Sequence, residues 1–151
     1  MRAQVIRAIA ACLLLAPAAA NADGCAIEGG QIAFGRLEPM AQGEHQAIGM
    51  ITLRCDGAEG SVVRIGLGAG NSMRPEQREM RDGEHRIRYN LYLDPARERV
   101  FGDDTHAGSA LTLVLSRAGA PLDIPVYGAI AGGQRLRPGT YSDQITITVD
   151  F

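Results

Sequence analysis

Tyr141 to Phe151 reads Y-S-D-Q-I-T-I-T-V-D-F, and the reading of this stretch decides the fold class. Ile145, Ile147, Val149 and Phe151 fall on one side of an extended chain, and Thr146, Thr148 and Asp150 on the other. That is the two-residue period of a strand with one buried face. A strand this regular needs a hydrogen-bonded neighbour along each edge or protection along the free one. The sequence as it stands offers no following segment to supply that neighbour. The expectation is therefore a subunit finished by another polypeptide.

Working outward, six more short runs are apolar or alternate between Gly, Pro and Asp punctuation. They lie near Gln31 to Phe34, Ile48 to Cys55, Val62 to Leu67, Ile87 to Leu93, Leu111 to Leu115 and Leu122 to Ile130. Ile87, Tyr89, Leu91 and Leu93 share one face, as do Leu111, Leu113 and Leu115. With Gln144 to Phe151 as the seventh, short strands separated by turn signals predict an all-β, antiparallel β-sandwich. Pro121 and Pro125 place the first half of the sixth run at a sheet edge or at a bend between sheets. After the leader no helical period sustained over about 12 residues is present, although Arg74 to Met80 has room for one turn. Gly68 to Glu84 and Asp94 to Ser109 are the longest irregular stretches and carry much of the charge, as surface loops do.

Met1 to Ala22 has the layout of a secretory signal, leaving Asp23 to Phe151 as one domain. Arg2 and Arg7 are followed by an apolar run from Ala8 to Ala16, and Ala20-Asn21-Ala22 is a small-x-small cleavage site. The run is shorter than the roughly 18 residues of a membrane-spanning helix, and no later segment approaches that length. Ile9-Ala10-Ala11-Cys12 resembles a lipid-attachment box, but it would leave too short an apolar run ahead of it. The expected product is secreted and soluble, in transit through a bacterial periplasm. Of the three cysteines Cys12 departs with the leader. Cys25 and Cys55 form an even pair in an oxidising compartment, which favours a disulfide over a thiolate metal or redox site. A loop of about 30 residues closed in this way contributes about 3 to 4 kcal/mol on the chain-entropy account.

All 15 basic residues are Arg, two of them in the leader, and all 17 acidic residues follow it. The remaining 13 against 17 leave a net charge of −4, which argues against nucleic acid as a partner. With no Trp and only four Tyr and three Phe, the core must be largely aliphatic.

Residue types that carry chemistry are sparse. His45, His85 and His106 each neighbour an acid, as metal ligands or a general base would, yet no metal-ligand spacing occurs and solvated surface pairs explain them better. Asp103-Asp104 supplies too few oxygens for calcium, which takes about six to eight. Gly66-x-Gly68-x-Gly70 lacks the helix and Lys of a phosphate loop and reads as the end of a strand. Tyr89, Tyr92, Tyr127 and Tyr141 suit packing better than a sugar platform. No nucleophile elbow is present. The expectation is a protein that is not an enzyme and takes no cofactor or metal.

In order, the chain presents Cys25, Phe34-Gly35, Gly49-x5-Cys55, Ile65-Gly66-Leu67-Gly68-x-Gly70, Arg78-Glu79-Met80 and Tyr89-Asn90-Leu91-Tyr92-Leu93-Asp94. Phe101-Gly102-Asp103, Pro125-Val126-Tyr127-Gly128 and Pro138-Gly139-x-Tyr141-x-Asp143 follow. This series resembles the spore coat protein U domain family, which includes subunits of archaic chaperone-usher pili. The resemblance implies an immunoglobulin-like sandwich lacking its last strand. A periplasmic chaperone fills the gap during folding, an outer-membrane usher handles export, and a neighbouring subunit's extension completes the fold at the cell surface. Ile145, Ile147, Val149 and Phe151 would then line the acceptor groove for the donated strand. Only Asp23 and Gly24 separate the expected cleavage site from Cys25, short of the roughly five to ten residues of a useful strand. The expectation is an acceptor placed at a fibre tip, in adhesion or biofilm formation. The alternative is a self-contained periplasmic or extracellular module binding carbohydrate or matrix.

Overall fold

The computed structural model describes residues 24–38, 42–105 and 108–151. The expected leader, Cys12 and His106 lie outside the described residues. Eight strands form: β1 (Cys25–Gln31), β2 (His45–Cys55), β3 (Val62–Leu67), β4 (Arg78–Asp82), β5 (His85–Tyr92), β6 (Leu111–Val114), β7 (Pro121–Ile130) and β8 (Ile147–Asp150). They build two layers, a five-stranded sheet in the order β1-β2-β7-β5-β4 and a three-stranded sheet in the order β6-β3-β8. Every strand pair is antiparallel. The only helical elements among the described residues are two 3₁₀ turns, Gly70–Ser72 and Pro75–Gln77.

Inward residues of both layers meet in an aliphatic core. Leu53 on β2, Val63 and Ile65 on β3 and Ile87 on β5 are fully buried, with Phe101 the one Phe at its centre. The sandwich expected from period-two patterning is therefore the observed fold, and β3 occupies Val62–Leu67 as read from sequence. Pro121 and Pro125 sit where the sequence places them. β7 pairs with β2 along its whole length, whereas β5 joins its other edge only at Tyr127, Gly128 and Ala129. The proline half of β7 thus has a free edge that needs no donor.

Three elements differ from expectation. β1 runs from Cys25 to Gln31 instead of Gln31 to Phe34. Gly29 and Gly30 obscured its pattern, and the ladder shifts register between Ile27 and Gly29. β4 lies inside the stretch expected to be a loop, after the 3₁₀ turns that replace the single turn expected over Arg74 to Met80. Its sequence, R-E-M-R-D, has one apolar residue, and its fully buried position is filled by Arg78. β8 is shorter than Gln144 to Phe151, because its partner gives out. Leu67 pairs with Ile147, Gly68 N–H donates to Thr146 O at 2.9 Å, and the chain then turns away at Gly70, whose φ is 62°. The alternation of half-buried and exposed side chains nevertheless continues back to Tyr141.

Candidate strand-acceptor groove

β1 and β8 are outer strands of opposite sheets, and among the described residues each has a single hydrogen-bonded neighbouring strand. Between these two edges lies a groove of about 970 Å³. One wall is the end of β1 and the segment that follows it, including Gly30, Ile32, Phe34 and Leu37. The other is the approach to β8, including Leu136, Tyr141, Ile145 and Ile147. The floor is apolar, with Ile51 of β2, Leu67 of β3, Ile87 and Leu91 of β5, and Val126 of β7.

The first wall depends on two glycines. After Gln31 the chain leaves β1 and crosses the inner face of β2 and β7. A Cβ on Gly49 would collide with the Gln31 carbonyl and stand 2.6 Å from Ile32 Cβ. One on Gly128 would meet Ile32 Cδ1 and, at 2.7 Å, Phe34 Cζ. Phe34 then stacks edge-on against Tyr89, with ring centroids 5.7 Å apart, and its carbonyl is hydrogen-bonded to His45 Nε2. The second wall is tied to β4 by paired main-chain bonds between Arg81 and Ser142, at 2.8 and 3.1 Å. Asp143 anchors it: its carboxylate accepts from the Tyr89 hydroxyl at 2.8 Å and from the N–H groups of Asn71 and Gln144 at 2.9 and 2.8 Å. Burial, and then the bond to Asp143, push the Tyr89 hydroxyl far above its ordinary pKa, so it remains a donor.

Arg78 holds the far side of the floor together. Its guanidinium is fully buried and donates to the carbonyls of Leu67, Gly68, Pro75 and Phe101 and to Asn90 Oδ1, at 2.7 to 3.1 Å. Burial lowers its pKa, opposed by the nearby carboxylates of Asp143, Asp103 and Glu76.

The profile of the spore coat protein U domain family matches residues 10–148. The chain belongs to that family. It is 27% identical over 139 residues to Protein U of Myxococcus xanthus, covering 85% of this chain and 75% of the relative. Its fold is similar to one in the crystal structure of the CsuC-CsuE chaperone-tip adhesion subunit pre-assembly complex from archaic chaperone-usher Csu pili of Acinetobacter baumannii. The TM-score is 0.56 and the identity 18%, over 85% of this chain and 40% of that one.

Within this coat U domain the four residues expected in the groove occupy different settings. Ile145 and Ile147 line it. Val149 is half-buried against the same core, opposite Ile65, and is not among the lining residues. Phe151 is 62% exposed beyond the end of β8. Cys25 and Cys55 face one another across β1 and β2 and are joined by a disulfide with an S–S length of 2.06 Å. An ion pair on the same two strands, Arg54 Nε to Glu28 Oε1 at 2.6 Å, lies alongside.

The remaining candidates are engaged structurally. Asp104 accepts from Arg64 and from Ala110 N–H, which holds its carboxyl below the usual range. Arg64 also reaches Asp150 at 3.3 Å, linking β3 to the end of β8. Asp103 Oδ1 accepts from the Thr105 hydroxyl. Gly66 lies within β3 and Gly70 in the turn after it. Among the described residues no group of three or more His, Cys, Asp or Glu is placed to hold a metal ion. No helix among them is long and apolar enough to cross a membrane. Sequence reasoning missed the wall from Ile32 to Leu37, its glycine notches and the buried Arg78. The available signal was Phe34-Gly35, Gly49, Arg78 and Gly128, four islands of the series that carries the family resemblance.

Proposed function

We propose that this domain is a structural subunit of a chaperone-usher type fibre or surface coat, completed by a strand from another polypeptide. The observation that carries this reading is the groove between β1 and β8. Two sheet edges, each with one neighbour, flank an apolar floor. An extended chain laid there pairs its main chain with the edges while alternate side chains enter the floor. Ile145 and Ile147 contact those side chains from the β8 side, and Val149 and Phe151 continue the same face toward the end of the chain.

The family match and the fold shared with a chaperone-bound pilus subunit support the same reading. The leader Met1 to Ala22 and the disulfide suit export through an oxidising periplasm. There a periplasmic chaperone occupies the groove, an outer-membrane usher passes the subunit on, and a neighbouring subunit takes the chaperone's place at the surface. The chemistry proposed is strand pairing, without an enzymatic step. The finer form of the proposal is a place at the fibre tip in adhesion, supported by the tip adhesion subunit in the structure it resembles.

Periplasmic expression with and without a cognate periplasmic chaperone tests the reading. The expected result is a soluble one-to-one complex with the chaperone and aggregation without it, since unpaired edges and apolar surface would face water. A subunit that accumulates as soluble monomer to the same level with and without the chaperone, and does not bind it, overturns it. Gold labelling along the whole shaft overturns the tip placement only.

A further inference from the structure

The groove is not uniform along its length. At one end its walls close together, and a Cβ on Gly30 would stand 3.0 Å from Ile147 Cδ1. At the other end Leu37 and Leu136 line both the groove and a small adjoining pocket, and beside them Arg36 and Arg137 stand one on each wall. Both arginines are exposed. Among the described residues no ion pair involves either of them. Two carboxylates also line the groove. Asp143 is committed to Tyr89, Asn71 and Gln144, which leaves Glu38 as the other acid among the lining residues, with the Asp82 carboxylate behind the wall against Gly139. An otherwise acidic chain, net −2, therefore gathers two exposed guanidiniums, one on each wall, at one end of an apolar trough.

We propose that this end of the groove reads charge in the incoming strand: the occupant is a segment of a second polypeptide with alternating apolar side chains and an Asp or Glu side chain where it passes between Arg36 and Arg137. The inference rests on the strand-acceptor reading and adds to it the chemistry and direction of the strand. A closed apolar end and a cationic open end make the two directions of insertion unequal. An acidic residue at the wrong end would be carried toward Gly30 and Ile147, where no cation lines the groove. Guanidinium pairs well with carboxylate, and exposed pairs of this kind act through modest, salt-sensitive attraction.

The test uses the oxidised full chain and labelled twelve-residue peptides of alternating Val and Thr, acetylated and amidated so that one side chain carries the only charge. Glu, Gln or Lys is placed at the first or the last position, and affinities are measured at about 20 mM and 1 M salt. The Glu peptide of one direction is expected to bind about tenfold tighter than its Lys counterpart at low salt. The ratio should fall below about twofold at 1 M, where the Debye length is about 3 Å. The double variant Arg36→Glu, Arg137→Glu is expected to reverse the order. Equal affinities for Glu, Gln and Lys at low salt overturn the charge inference while leaving the groove reading standing, as does a preference that persists in the double variant. Failure of every peptide, alongside a polar scrambled control, overturns the groove reading itself. Should the variant not fold, the salt series on the natural chain still decides between these outcomes.

Discussion

Single residues decide whether the groove has a first wall. Gly49 has a backbone carbonyl against its α-carbon on the inner face, so a methyl there must displace the crossing segment at Gln31 and Ile32. Gly29, in the adjacent strand, has nothing within 4 Å of where its Cβ would stand. Gly49→Ala is expected to cost about 1 to 3 kcal/mol by overpacking. Gly29→Ala should stay within about 0.5 kcal/mol. Urea midpoints of the oxidised protein check the contrast, and equal midpoints would show that the segment does not need the notch. Arg78 gives the second case. Arg78→Met takes the guanidinium donors away from four carbonyls and leaves Asn90 Oδ1 with only its bond from Leu91 N–H, and a loss of at least about 3 kcal/mol is expected. Arg78→Lys keeps the charge but has three donors and no planar fork, so it should recover only a minor part. Full recovery with Lys would mean that charge, and not the spread of donors, holds these segments.

At the scale of elements, β8 separates two faces that one substitution each can distinguish. Ile147 is half-buried and lines the groove, whereas Thr148 is exposed opposite Gly66 on the outer face. Ile147→Asp puts a charge against Leu67 and the groove floor, costing several kcal/mol, of order 2 to 7. Thr148→Asp should leave both solubility and partner capture close to the natural chain. Equal effects in pull-down from the periplasm would remove the groove-lining role of this face. The β1–β2 staple is tested separately: thiol labelling of unfolded, unreduced protein should find no free cysteine, and the Cys25→Ala, Cys55→Ala double variant should lose about 2 to 4 kcal/mol. The same elements explain what was legible beforehand. β3 and the inward face of β8 announce themselves because burial there is apolar and strictly alternate. β4 does not, because Arg78 fills its buried site with a cation satisfied by carbonyls from distant parts of the chain. The groove's second wall was readable from Ile145 and Ile147, but its first wall is not a strand at all. It is a path through two glycine notches, and nothing local in Ile32 to Leu37 reveals where those notches come together.

At the scale of the whole molecule, two sheets are joined by a common core yet leave a groove between the segments 32–38 and 136–145 that continue from β1 and lead into β8, so the domain's stability is tied to what lies between them. A strand supplied in cis tests this without any partner protein. Fusing a flexible linker and about ten residues of alternating Val and Thr after Phe151 lets the added segment reach the groove as an intramolecular reaction, at an effective concentration in the millimolar range. Each apolar side chain that enters the floor contributes about 1.5 to 3 kcal/mol before the cost of ordering the strand. With four or five such side chains the net gain should raise the melting temperature by about 10 °C or more, since each kcal/mol moves a domain of this size by about 2 to 8 °C. The same fusion with Asp at the alternate positions should give no gain, because an unpaired carboxylate cannot enter an apolar floor. Amide exchange supplies the structural check: protection should appear at 144–146 and along 32–38, the two walls that the added strand would bridge, and not at the outer edge of β6. If the melting temperature rises equally with Val and Asp, the added segment acts away from the groove and the strand-acceptor reading falls.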